Sequence, residues 1–231
     1  MKKVKLLVFD WDGTLMDSKD QIVACVEAAI QELKLESRTH DAIKNIIGLG
    51  LRESISALFP GASDAFVSRF VECYRRRWFA TESGKLFPGA KETLELLHNE
   101  GFLLGVATGK GRRGLNRALA ETGLQSVFHA TRCADETYSK PQPHMLLEIM
   151  EELDVTAPQT LMIGDTEYDM EMARRAGVNP VAVSYGVHEW ERLQRYAPVL
   201  MVDQIGEITD WLAEQRAAPV HEVGAAANGG R

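Results

Sequence analysis

Asp10 and Asp12 stand one residue apart in Asp10-Trp11-Asp12-Gly13-Thr14, directly after the apolar run 4–9. Two carboxylates this close repel each other and invite a cation. Mg²⁺ is the natural candidate, because it prefers carboxylate oxygen, water and substrate phosphate. The run before them is short, rich in Val and Leu and ends abruptly in charge, which predicts a buried strand. In open α/β sheets, ligands gather at the carboxyl ends of such strands. A turn or helix-capping role for either Asp is the ordinary alternative.

Three other segments carry candidate chemistry. Ala107-Thr108-Gly109-Lys110 closes a second apolar run. Its hydroxyl and glycine N–H can hold a phosphate oxygen, and Thr108 can equally cap a helix. The spacing is not a P-loop, since Gly105 and Gly109 have only three residues between them and no Ser or Thr follows Lys110. Lys140-Pro141 precedes a helical stretch, and Lys140 could neutralise a phosphate, although an isolated lysine is more often a surface group. Leu161-Met162-Ile163-Gly164-Asp165 is another buried run ending in Asp, with Asp169 four residues later, where it could also cap a helix.

The elements that must position these groups follow from periodicity. Strand-like runs at 103–108, 160–164, 180–184 and 199–202 alternate with helical stretches at 90–99, 112–121, 144–153, 169–175 and 189–196. Alternation of this kind predicts an α/β fold, with a parallel sheet covered on both faces. From about residue 16 to 84 no strand is evident. Ile22, Val26, Ala29, Ile30 and Leu33 form one helical face, and Phe66, Phe70, Cys73 and Tyr74 another. The expected division is a Rossmann-like parallel-sheet core at 1–16 and 85–216, an inserted α-helical cap at 17–84, and an Ala/Gly-rich tail at 217–231 expected to be disordered.

The chain has 231 residues and a net charge of -7, which argues against nucleic acid or an anionic membrane as partner. No apolar run reaches the length of a membrane span. Lys2 and Lys3 ahead of an apolar run resemble a signal peptide, but Lys5 interrupts the run and no cleavage site follows. Cys25, Cys73 and Cys133 are odd in number and widely spaced, as expected of reduced thiols in a cytoplasmic protein.

In order, Asp10-Trp11-Asp12-Gly13-Thr14, Thr108, Lys140 and Gly164-Asp165-Thr166-Glu167-Tyr168-Asp169 resemble the motifs of the haloacid dehalogenase-like hydrolase superfamily. The chain is similar, over about residues 1–215, to its phosphoglycolate phosphatase-like group with a helical cap. The resemblance implies a Mg²⁺-dependent phosphatase acting on a small phosphorylated metabolite such as a 2-phosphoglycolate-like ester. Asp10 would be the nucleophile, forming an aspartyl-phosphate, and Asp12 the general acid and base. Mg²⁺ would be held by Asp10, the Asp12 backbone carbonyl and Asp165, with Asp169 behind them or as an occasional ligand. Thr108, the Gly109 N–H and Lys140 would hold the transferring oxygens.

Within the family, an Asp at position 12 points to the phosphate-ester branch. A β-phosphoglucomutase-like phosphotransferase typically adds a cap histidine where this chain has Ile22. A non-catalytic binding or regulatory member is a further alternative, against which stands the intact set of catalytic side chains. Arg52, beside Gly48-Leu49-Gly50, occupies the cap loop that would read the leaving group, and a plain surface arginine is an equal reading. Arg75-Arg76-Arg77 is read as a solvated helical face, and His188 as a residue near the rim of the site. The oligomeric state is left open.

Overall fold

The computed structural model describes residues 3–81 and 84–217. In chain order the elements are Leu6–Phe9 (β1), Met16–Asp17 (β2), Lys19–Glu32 (α1), His40–Lys44 (α2), Leu51–Leu58 (α3), Asp64–Ala80 (α4), Lys85–Leu86 (β3), Ala90–Asn99 (α5) and Leu103–Thr108 (β4). Arg112–Thr122 (α6), Ala130–Cys133 (β5), His144–Glu152 (α7), Thr160–Gly164 (β6), Glu167–Ala176 (α8), Asn179–Val183 (β7), Trp190–Gln194 (α9), Leu200–Val202 (β8) and Glu207–Ala217 (α10) follow. The expected tail lies outside the described residues, apart from Ala217 at the end of α10.

Six parallel strands form one sheet in the order β5-β4-β1-β6-β7-β8. β1 lies at its centre because it is apolar on both faces. Leu7 and Phe9 pack with Leu94 and Leu97 of α5, Leu115 of α6 and Ile208 of α10. Leu6 and Val8 point the other way, to Met145 and Ile149 of α7 and Met172 and Ala173 of α8. Two-sided burial of this kind is what a parallel sheet requires. From β1 the chain adds β4 and β5 on one side and then crosses back to add β6, β7 and β8 on the other, so the sheet's topological switch point falls between β1 and β6.

The helices α1–α4 pack around an apolar cluster of their own, in which Val26, Ala29 and Ile30 of α1 meet Ile55 of α3 and Phe70 of α4. Phe59, Phe66 and Phe70 form a ring cluster inside it, with centroids 5.3–6.3 Å apart. Ser63 caps α4 by accepting from the Phe66 N–H at 3.3 Å. This helical unit is seated on the sheet domain. The Gly50 N–H donates to Ser139 Oγ at 2.6 Å, and Tyr168 Oη donates to the Asn45 carbonyl at 2.7 Å.

The small antiparallel pair of β2 with β3 falls partly inside the stretch read as strand-free. Strands of two residues are too short for alternation to register in sequence. β5 begins at Ala130, and Val127 packs as core before the strand begins.

Candidate active site

Register brings the chemistry together. Phe9 pairs with Val106 on one side and Ile163 on the other, so the strand ends of β1, β4 and β6 lie side by side. Asp10 follows directly, its N–H donating to the Ile163 carbonyl at 2.9 Å. Thr108 ends β4, and Asp165 follows Gly164 at the end of β6.

Asp10, Asp165 and Asp169 are buried and offer carboxylate oxygens within 4.8 Å of one another. Lys140, fully buried, sets its Nζ 2.6 Å from Asp10 Oδ1 and 2.6 Å from Asp169 Oδ1. Each remaining carboxylate oxygen is fixed by a specific donor or left open. Thr14 Oγ1 donates to Asp165 Oδ1 at 2.8 Å, and the Val187 N–H donates to Asp165 Oδ2 at 2.9 Å. Asp169 Oδ2 accepts from the Thr166 N–H at 3.0 Å and from its hydroxyl at 2.7 Å, so Asp169 is also the capping-box residue of α8. Among the described residues, Asp10 Oδ2 has no hydrogen-bond partner.

Three buried carboxylates against one ammonium leave negative charge that burial makes expensive. Burial pushes Asp10 well above the usual carboxylate range, with Asp169 and Asp165 adding to the rise and Lys140 opposing it. Burial, reinforced by Asp169, raises Asp165 to about 7. Burial alone would depress the Lys140 ammonium, but Asp10 and Asp169 outweigh it and hold it above the usual lysine range. A hard dication fits this oxygen-only set and the open oxygen of Asp10.

Gly13 explains the glycine of the first motif. It has φ +89°, and a Cβ there would lie 2.2 Å from Asp165 Oδ2. Any larger residue would displace that carboxylate.

The Asp12 carboxylate stands apart from the acidic group. Ser18 Oγ donates to its Oδ1 at 2.6 Å, and Lys110 Nζ lies 3.0 Å from its Oδ2. Lys110 in turn sits 4.2 Å over the Trp78 ring of α4. Thr108 is buried, and its hydroxyl accepts from the Lys110 N–H at 3.1 Å, leaving its own proton to donate. Gly109 lies under the cap, where a Cβ would come within 2.3 Å of the Leu49 carbonyl oxygen.

A cavity of about 290 Å³ opens above these groups, bounded by Asp10, Asp12, Thr108 and Lys110 below and by α1, α3, α4 and the Gly48–Gly50 loop above. That is near the lower end of small-molecule sites, roughly 300–1,000 Å³. Arg52 lines it, but its guanidinium donates to Ser68 Oγ at 3.0 Å and lies 3.6 Å from Asp64, both on the cap. Arg76 and Arg77 pair with Glu32, as a solvated face would, whereas Arg75 lines the cavity. His188 is buried at the seam rather than on the rim. Its Nδ1 accepts from the Glu167 N–H at 3.0 Å, and burial, aided by Arg192, lowers it to about 4, so the ring is neutral.

Ser18, Lys110, Tyr74 and Trp78 were not read from sequence as site residues, although Tyr74 was placed on a helical apolar face. Lys110 had a signal, being a cation two residues beyond Thr108. Ser18 and the two aromatics join the site only through the cap's packing.

Comparison with known proteins identifies the family. A protein of Dickeya dadantii named probable phosphatase IndB is 33% identical over 209 residues, covering 88% of this chain and 91% of its own. A phosphoglycolate phosphatase of Vibrio parahaemolyticus is 28% identical, covering 91% of this chain and 96% of its own. The crystal structure of a haloacid dehalogenase-like hydrolase from Bacteroides fragilis superposes with a TM-score of 0.84 at 27% identity, over 89% of this chain and all of that one. The family model for haloacid dehalogenase-like hydrolases matches residues 7–183, from β1 to the end of β7, and the chain belongs to that family.

Proposed function

We propose that the protein is a Mg²⁺-dependent phosphatase that hydrolyses a small phosphomonoester through an aspartyl-phosphate on Asp10. The observation that carries this reading is the buried Asp10, Lys140, Asp165 and Asp169 group, of which Asp10 reaches the floor of a cavity that Asp12 also lines. Asp10, Asp165 and Asp169 would hold the ion, with the Asp12 backbone carbonyl as a further ligand. When bound, it offsets charge between a carboxylate and a phosphate dianion.

An Asp10 oxygen attacks phosphorus, and the bond from phosphorus to the ester oxygen breaks. Asp12 gives its proton to that oxygen, and the alcohol leaves. Water then attacks the aspartyl-phosphate, its proton passes to Asp12, and the bond from phosphorus to Asp10 breaks to release inorganic phosphate. Thr108 donates its hydroxyl proton to a phosphoryl oxygen, alongside the Gly109 N–H and Lys140. Ser18 and Lys110 hold the Asp12 carboxylate in place.

The mutase reading is weakened because Ile22, not a histidine, lines the cavity. A non-catalytic role would not call for so complete a buried charge group. A small metabolite in the cytoplasm suits the free thiols Cys25, Cys73 and Cys133 and the acidic chain, with neither nucleic acid nor membrane as partner. Among the described residues no helix is long and apolar enough to cross a membrane. The test is phosphate release from small esters with and without Mg²⁺, with mass spectrometry for a phosphoryl group on Asp10 after rapid acid quench. Turnover by Asp10→Asn at the wild-type rate would refute the mechanism.

A further inference from the structure

Within the proposed phosphatase reading, on which this inference rests, the cap side of the cavity says what the leaving group is. Ile22, Val26, Ile47, Leu49, Tyr74 and Trp78 line it. Ile22 and Val26 come from α1, and Tyr74 and Trp78 from one face of α4, with their rings 6.0 Å apart and 13° from parallel. This wall stands over the carboxylates that would handle the ester bond.

Two of the cations nearest the wall are already committed. Lys110 is held between Asp12 and the Trp78 ring, and Arg52 is turned onto Ser68 and Asp64. Arg113 lies 4.3 Å from the Phe79 ring. Arg113 and Arg75 are exposed and line both the cavity and an outer groove, so their charge is shared with solvent. A leaving group carrying a carboxylate would have to set that charge against Ile22, Val26 and Trp78, where burying an unpaired charge is costly. Tyr74 supplies a polar handle, since its hydroxyl makes no hydrogen bond to the described residues. Burial and the nearby Asp12 carboxylate keep that phenol neutral, well above its usual range.

We propose that the preferred substrate is the phosphomonoester of an uncharged, largely apolar alcohol of about the size of a single ring, which packs against Ile22, Val26 and Trp78, and not a carboxylate-bearing ester of the 2-phosphoglycolate kind. Hydrophobic discrimination of this sort changes kcat/KM by about 10- to 200-fold for each methylene-sized difference.

The experiment compares benzyl phosphate, glycerol 1-phosphate and 2-phosphoglycolate with the full-length protein in saturating MgCl₂. All three are esters of primary alcohols, so the comparison reads contacts with the leaving group more than its chemistry. kcat/KM for benzyl phosphate is expected to exceed each of the others by about tenfold or more. The ratio of benzyl phosphate to glycerol 1-phosphate should fall by about fivefold or more in both Ile22→Ser and Trp78→Leu, since each removes apolar contact. A ratio taken within one preparation does not depend on the fraction folded. Equal or greater kcat/KM for 2-phosphoglycolate, or an unchanged ratio in both variants, would overturn the assignment of the leaving group while the phosphatase reading stands. Release of phosphate from none of the three, or release that Asp10→Asn leaves intact, would overturn the phosphatase reading and this inference with it.

Discussion

The buried carboxylates make a quantitative prediction about protons and the proposed Mg²⁺. Asp165 is raised from 3.8 to about 7 by burial first and Asp169 second, and Asp10 is raised in the same direction. A folded-state value above the unfolded one means that the metal-free protein is stabilised by the bound proton. That contribution is fully present below pH 3.8 and is lost as the pH rises through about 7. The difference of about three pH units, at about 1.4 kcal/mol each, places roughly 4 kcal/mol of electrostatic cost on the ionised, metal-free site. Mg²⁺ needs the ionised carboxylates and offsets that cost, so it competes with protons. Lys140, held above the usual lysine range, stays charged throughout this window.

Two measurements follow. The apparent Kd for Mg²⁺, from calorimetric titration, should weaken by about tenfold for each pH unit below about 7 and for each proton displaced. The rise in Tm on adding excess MgCl₂ to chelator-treated protein should be larger near pH 8.5 than near about pH 5.5. In Asp165→Asn, the metal-free protein should lose part of its decline in stability over this range, because one of the two raised carboxyls is gone. A Mg²⁺ affinity that is flat from about pH 5.5 to 8.5, or a thermal shift that is greater on the acid side, would refute the reasoning.

Asp10→Asn should abolish turnover, with a loss of at least about a thousandfold in kcat, while circular dichroism and Tm stay close to wild type or rise, since it removes one of three crowded carboxylates. Lys110→Met should lower kcat by about tenfold or more by freeing the Asp12 carboxylate, with Lys110→Arg restoring part of it; a pure KM effect would place Lys110 on the substrate instead. Gly109→Ala should raise KM, because its Cβ would lie 2.3 Å from the Leu49 carbonyl and push the cap loop off the core, which limited proteolysis of the loop would report. Arg52→Ala should change kcat/KM for an uncharged leaving group by less than about threefold, its guanidinium being held by Ser68 and Asp64 on the cap.

Asp10, Thr108 and Asp165 were legible in sequence as strand-end groups because each closes or follows an apolar run that reads as a buried strand, whereas Lys140 has no such run before it. Leu161-Met162-Ile163-Gly164 is buried throughout, and Asp165 is where the run stops, so strand identity and site residue arrive together. The bounds of α5 and β4 were readable for the same reason, with the cap residue or the glycine at their ends marking the change of period. The pair of β2 and β3 was not, since each has two residues and their pairing joins positions about seventy apart in the chain. Arg75 was read with its neighbours as solvated because charge runs look alike in sequence. Only the turn of α4 separates it, on the cavity side, from Arg76 and Arg77 on Glu32.

The same contrast explains why reaction and selectivity differ in how much of them can be read. The groups proposed for catalysis need specific atoms at strand ends, and strand ends have a sequence signature. Ile22, Val26, Tyr74 and Trp78 need only be apolar and on the inner face of α1 or α4, and their period is the same one that builds the cap's own core. Tyr74 illustrates the ambiguity: its ring packs on the cap cluster while its side chain also lines the cavity. Periodicity marks such a residue as buried without saying whether protein or substrate buries it. The proposed apolar wall therefore comes into view only when Lys110 is seen to be spent on Asp12 and Trp78, and Arg52 on Ser68 and Asp64, because those pairings take two of the cavity's cations away from a charged leaving group.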